Sequence, residues 1–72
     1  MTFFVEVTDS GVYTSIMEVI ISSGLTHSKE QQSNITSLEI SGSEKDYKIF
    51  AKIVEEGNSK RGAIVARITE GI

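Results

Sequence analysis

Cysteine is absent from this 72-residue chain, and histidine occurs once, at His27. Without cysteine there can be no disulfide, no thiolate zinc site and no iron–sulfur cluster. One histidine excludes a multi-histidine metal site within a single chain, so no cofactor is expected. No apolar run approaches the ~20 residues that span a bilayer, and no membrane partner is expected. Met1–Glu6 has no basic region ahead of its apolar stretch, and an acid follows at once, which is not the pattern of a secretory signal. The sequon Asn34-Ile35-Thr36 then reads as chance, and a cytoplasmic location is the expectation. Cations are scarce as well. Seven Lys and Arg face ten Asp and Glu, for a formal net charge of −3. Nucleic-acid binding relies on a basic footprint that neutralises phosphates, so it is disfavoured.

What remains is a chain of one domain's length, residues 1–72, with 39% hydrophobic and 24% charged residues, a balance that suits a globular fold. A chain this short buries only about 60% of the surface it exposes when unfolded. With disulfides and metals excluded, self-association is the stabilising device left open.

Thr2–Val7 is β-branched and aromatic, and Phe3, Val5 and Val7 alternate with Phe4 and Glu6 as a strand requires. Asp9 and Ser10 are good N-cap residues for a helix that follows over Val12–Ser23. At about 100° per residue, Val12, Tyr13, Ile16, Met17, Val19, Ile20 and Ile21 share one side of it. Gly24 stands where a left-handed cap is wanted. Ser43-Glu44-Lys45-Asp46 resembles a capping box, and the apolar arc Tyr47, Ile49, Phe50, Ala51, Ile53 and Val54 predicts a second helix that Gly57 ends. A polar turn over Asn58–Gly62 should lead into a last strand, Ala63–Thr69. In between, Thr36–Ser41 alternates as a strand. Leu25–Gln31 is expected to be its weak edge partner, joined through Gln32-Ser33-Asn34.

The order is β-α-β-β-α-β, an α+β chain whose right-handed crossovers put both helices on one face of a four-stranded antiparallel sheet. This is the ferredoxin-like plait. Val5, Val7, Leu38, Ile40, Ile64, Ala66 and Ile68 are expected to face the helices. Phe4, Glu6, Ile35, Val65 and Arg67 are expected on the opposite face, together with Glu39. Apolar residues rimmed by charge there mark a contact surface.

Gly11, Val12, Ile16, Ile20, Gly24 and Leu25 stand at intervals that resemble the opening of an ACT domain, over about a quarter of the chain. The resemblance implies the plait fold, pairing through sheets or helices, and a small-molecule site at Asp9, Ser10, Gly11 and Val12. Gly57–Gly62 is similar in outline to the Gly-bounded turn that trimeric nitrogen-regulatory signalling proteins place near a nucleotide.

Ser59, Lys60, Arg61 and Gly62 could hold an anion, since glycine lets backbone N–H groups converge beside two cations. The spacing is neither a Walker A loop nor a dinucleotide fingerprint. Asp9, Ser10, Gly11 and Val12 serve equally as a helix cap. His27 has only Ser28, Lys29 and Glu30 as near neighbours, and no Gly-x-Ser-x-Gly motif occurs. The expectation is therefore a non-enzymatic regulatory or ligand-binding module acting as a homodimer, or a small interaction factor docking on a larger protein assembly.

Overall fold

A computed structural model describes residues 1–71. It has strands β1 (Thr2–Val7), β2 (Thr26–Gln32), β3 (Ile35–Ser41) and β4 (Ala66–Glu70), and helices α1 (Ser10–Ser23) and α2 (Glu44–Arg61). The strands form one antiparallel sheet in the order β2-β3-β1-β4, which with the element order β-α-β-β-α-β is the ferredoxin-like plait.

The core follows from the two periodicities. Phe3, Val5 and Val7 of β1, Leu38 and Ile40 of β3, and Ala66 of β4 turn to one side and are buried. Val12, Ile16 and Ile20 of α1 and Phe50 and Val54 of α2 close over them in the same cluster. Phe3 meets two rings of α2, Tyr47 edge-on and Phe50 tilted, each with ring centroids 5.5 Å away. Both helices thus lie on one face, and the other is open. The broad apolar arcs overrun the core: Ile21 and Ile49 of the two helices remain exposed.

Helix ends are set by local chemistry. The Asp9 carboxylate accepts the Val12 N–H at 3.0 Å and caps α1. Ser43 and Asp46 form a reciprocal capping box on α2, the Ser43 N–H donating to Asp46 Oδ2 at 2.8 Å and the Asp46 N–H to Ser43 Oγ at 3.1 Å. Gly24 and Gly62 end the two helices at φ of 64° and 62°, the left-handed region where a side chain is penalised. Ser33 and Asn34 make a two-residue link between β2 and β3, Ser33 at φ 58°.

The second helix departs from the sequence-based expectation. Gly57 does not end it; α2 continues through Asn58, Ser59 and Lys60 to Arg61, and Gly62 is the cap. Gly57 is buried against α1, where a Cβ would stand 2.5 Å from Val12 Cγ2. Glycine is required there for the close approach of two helices, not for a turn. Lys60 and Arg61 sit in the last helical turn, where cations suit the negative end of the helix dipole. Asn58 to Arg61 of the expected polar turn are therefore helix, and Gly62 is its cap.

The last strand is shorter at its start than expected, Ala66–Glu70 rather than Ala63–Thr69. Asn58 explains why. Its Oδ1 accepts the N–H groups of Val65 and Ala66 at 2.7 and 3.1 Å, and its Nδ2 donates to the Ala66 carbonyl at 3.0 Å. The chain is held to the helix here before it can pair along β1. Ile64, expected to face the helices, is instead 70% exposed.

Candidate functional site

The open side of the sheet gathers the residues expected there, and their places follow from register. Phe4 stands opposite Glu39 on β3 and Thr69 on β4. One row along, Glu6 lies between Ser37 and Arg67, with Glu30 beyond Ser37 on β2. The next row is set by Thr8, whose N–H and hydroxyl both donate to the Val65 carbonyl, at 2.9 and 3.1 Å. There Ile35, Thr8, Val65 and the exposed Ile64 surround a cleft of about 280 Å³ that reaches Glu6 and Arg67. Phe4 and Ile35 are about two-fifths exposed, at 41% and 39%. A second depression, about 340 Å³, is bordered by Phe4, Ser28, Lys29, Glu30, Ser37 and Glu39. The five expected surface residues Phe4, Glu6, Ile35, Val65 and Arg67 thus share one face. Ile64 joins them, and alternation could not reveal it because Ile64 lies before the strand begins.

The two candidate ligand turns meet elsewhere. Arg61 Nη2 pairs with Asp9 Oδ2 at 2.9 Å, tying the end of α2 to the start of α1. The guanidinium lies across Gly11, where a Cβ would come within 2.7 Å of it. Arg61 Nη1 also donates to the Gly57 carbonyl at 3.3 Å. The Asp9 and Arg61 charges are engaged with each other, while Lys60 stays exposed. Asp9 serves as a helix cap and ion-pair partner, and Arg61 is taken by Asp9. Ser59, Lys60, Arg61 and Gly62 form a helix end rather than an anion-holding loop. Ser10 is exposed at the start of α1, and Val12 is buried in the core.

The β2 strand is exposed along its whole length. His27 lies on it opposite Ile40, with no hydrogen-bonded partner among the described residues. Lys29 turns to the helix side, its ammonium 5.0 Å from the centre of the Tyr13 ring. Among the described residues no group of three or more His, Cys, Asp or Glu is placed to hold a metal ion. Among the described residues no helix is long and apolar enough to cross a membrane.

Two carboxyls are held below their ordinary range. The Val12 N–H and then Arg61 lower Asp9; the Ser43 N–H and hydroxyl lower Asp46. A depressed folded-state pKa means that stability is in place above the unfolded value, ordinarily about 3.9, and is lost as pH falls through the folded one. Stability measured by urea unfolding should therefore fall below about pH 4. Asp9→Asn together with Asp46→Asn should lower stability at neutral pH and flatten that acid slope. An unchanged slope would show that the caps do not carry it.

No protein-family model matches the chain, and no curated protein matches it. The fold class, a ferredoxin-like plait with one uncovered sheet face, therefore carries the assignment.

Proposed function

We propose that the chain is a non-enzymatic binding module, an interaction factor that presents the open face of its sheet to another protein. The observation that supports this is a set of three exposed apolar side chains on that face: Phe4 in its middle and Ile35 and Ile64 at one corner, rimmed by Glu6 and Arg67. Apolar groups rimmed by charge are the anatomy of a protein contact. The carboxylates with perturbed titration bear on the non-enzymatic half, since both are engaged in capping helices. A small-molecule site at Asp9–Val12 has less support, because Asp9 already accepts from Val12 and pairs with Arg61.

A second copy of the chain is the rival occupant, favoured by the small core. Charge weighs against it. Each open face carries Glu6, Glu30 and Glu39 against Arg67. Two such faces pressed together would strand carboxylates without cations, and an unpaired buried charge costs several kcal/mol, about 3–5.

The expected result is a monomer by light scattering across the micromolar range, with the mass unchanged by Phe4→Glu. A dimer that Phe4→Glu dissociates would overturn the proposal in favour of self-pairing through this face.

A further inference from the structure

The cations of this chain are sorted by side: six of the seven Lys and Arg lie off the open sheet face, as do seven of the ten Asp and Glu. Glu6, Glu30 and Glu39 project from the open sheet face, and Arg67 is the one basic side chain there among the described residues. That face thus carries two of the chain's three net negative charges. Lys45, Lys48, Lys52, Lys60 and Arg61 all lie on α2. Lys29 sits on a strand, yet strand alternation turns it toward Tyr13 while Ser28 and Glu30 on either side face the open side.

Register fixes the layout. Ser37 has Glu6 on one neighbouring strand and Glu30 on the other. Glu39 follows two residues along the same strand, opposite Phe4. Strand spacing of about 4.8 Å and a rise of about 6.8 Å per two residues put the α-carbons of the three glutamates within roughly 10 Å of one another. That is about one Debye length at ordinary salt, so their fields add. Phe4 offers an exposed ring beside them, and a ring face attracts lysine and arginine. Ser28 and Ser37 line the same depression as Phe4, Glu30 and Glu39.

Resting on the binding-module reading, we infer that the occupant of this face is a lysine- or arginine-bearing segment of a different protein, its cations set against Glu6, Glu30 and Glu39 and its apolar residues against Phe4 and the Ile35–Ile64 corner. Charge complementarity decides this. A neutral or acidic partner would leave at least two of the three carboxylates without a cation, since Arg67 stands opposite Glu6 alone, and a second copy would double that deficit.

The test is an amide chemical-shift titration of the full chain with deca-lysine, and with deca-glutamate as the counter-probe. Deca-lysine should shift Phe4, Ser28, Ser37 and Glu39, and the shifts should fade as salt is added. Glu30→Gln with Glu39→Gln should weaken binding about tenfold, and Phe4→Ala about threefold. Glu55→Gln with Glu56→Gln removes the same charge from α2 and should leave binding within about twofold. The inference is overturned by an absence of shifts, by shifts confined to α1 and α2, by equal shifts with deca-glutamate, or by equal weakening in the two double variants. A chain that is monomeric in light scattering and blind to deca-lysine would refute the basic partner and leave the binding-module reading standing. A dimer closed over Phe4 would refute both.

Discussion

Phe3→Ala is expected to cost about 3–5 kcal/mol of folding free energy, the range for removing a buried aromatic ring. Phe3 is fully buried on the second residue of a central strand, paired with Ile40 on one side and Glu70 on the other. Its ring is the contact between the sheet and the first half of α2, through Tyr47 and Phe50. A domain of this length holds about 4–10 kcal/mol in total, so the variant should be largely unfolded or close to its midpoint at ambient temperature. Phe4→Ala is the built-in control. Phe4 is the next residue of the same strand and points to the opposite side, 41% exposed. Its loss should cost no more than about 1 kcal/mol. Urea unfolding of the two variants side by side checks the assignment of faces directly. Equal losses would mean that Phe4 is covered and that the sheet has no open face.

Much of this architecture is legible in the sequence because local signals and tertiary need agree. In β1 the alternation of Phe3, Val5 and Val7 with Phe4 and Glu6 states both the strand and its two sides. Ser43 and Asp46 announce the start of α2 with the very side chains that cap it. Gly24 ends α1 as expected because its backbone is left-handed there. The edge strand β2 was the least visible element, since Thr26–Gln32 has no buried side chain to impose alternation. What predicts it is the neighbouring strand β3 and the long structureless loop that would otherwise precede it.

Gly57 shows where local reading fails. A glycine after an amphipathic run signals either a left-handed cap or a close approach, and only the packing partner distinguishes them. Here the partner is Val12, 45 positions earlier, which no local window contains. The clue that was available lay further on: Lys60 and Arg61 suit the end of a helix, and Gly62 offers a second cap. Once the helix is extended, Ser59, Lys60 and Arg61 are helical rather than a turn, and the two candidate ligand segments are joined by one ion pair, Asp9 with Arg61. The open face fared better, because strand alternation alone assigns Phe4, Glu6, Glu39 and Arg67 to it. Ile64 escaped that logic, since the chain is not yet a strand where Ile64 stands.

Asn58→Ala should be the most damaging change of a polar residue, at about 2–4 kcal/mol, because three hydrogen bonds depend on one half-buried carboxamide. The Val65 and Ala66 N–H groups would lose their acceptor, and the Ala66 carbonyl would lose its donor. Helix propensity acts in the opposite direction, since alanine is the better helix former by about 0.7 kcal/mol at most, which does not reverse the sign. Asn58→Asp separates the contributions. Its carboxylate can still accept both N–H groups but cannot donate to the Ala66 carbonyl, and like-signed oxygens would then face each other. Its loss should therefore fall between wild type and alanine. Amide hydrogen exchange gives the local readout: Val65 and Ala66 should lose protection in Asn58→Ala before the centre of β1 does. The consequence reaches the binding surface, because the same carboxamide fixes where β4 begins and so holds Ile64 and Val65 beside Ile35. A variant that stays folded but releases this corner should keep the acidic part of the open face and lose its apolar anchor. Unchanged stability with unchanged exchange at Val65 and Ala66 would show that the strand entry is held by pairing with β1 alone.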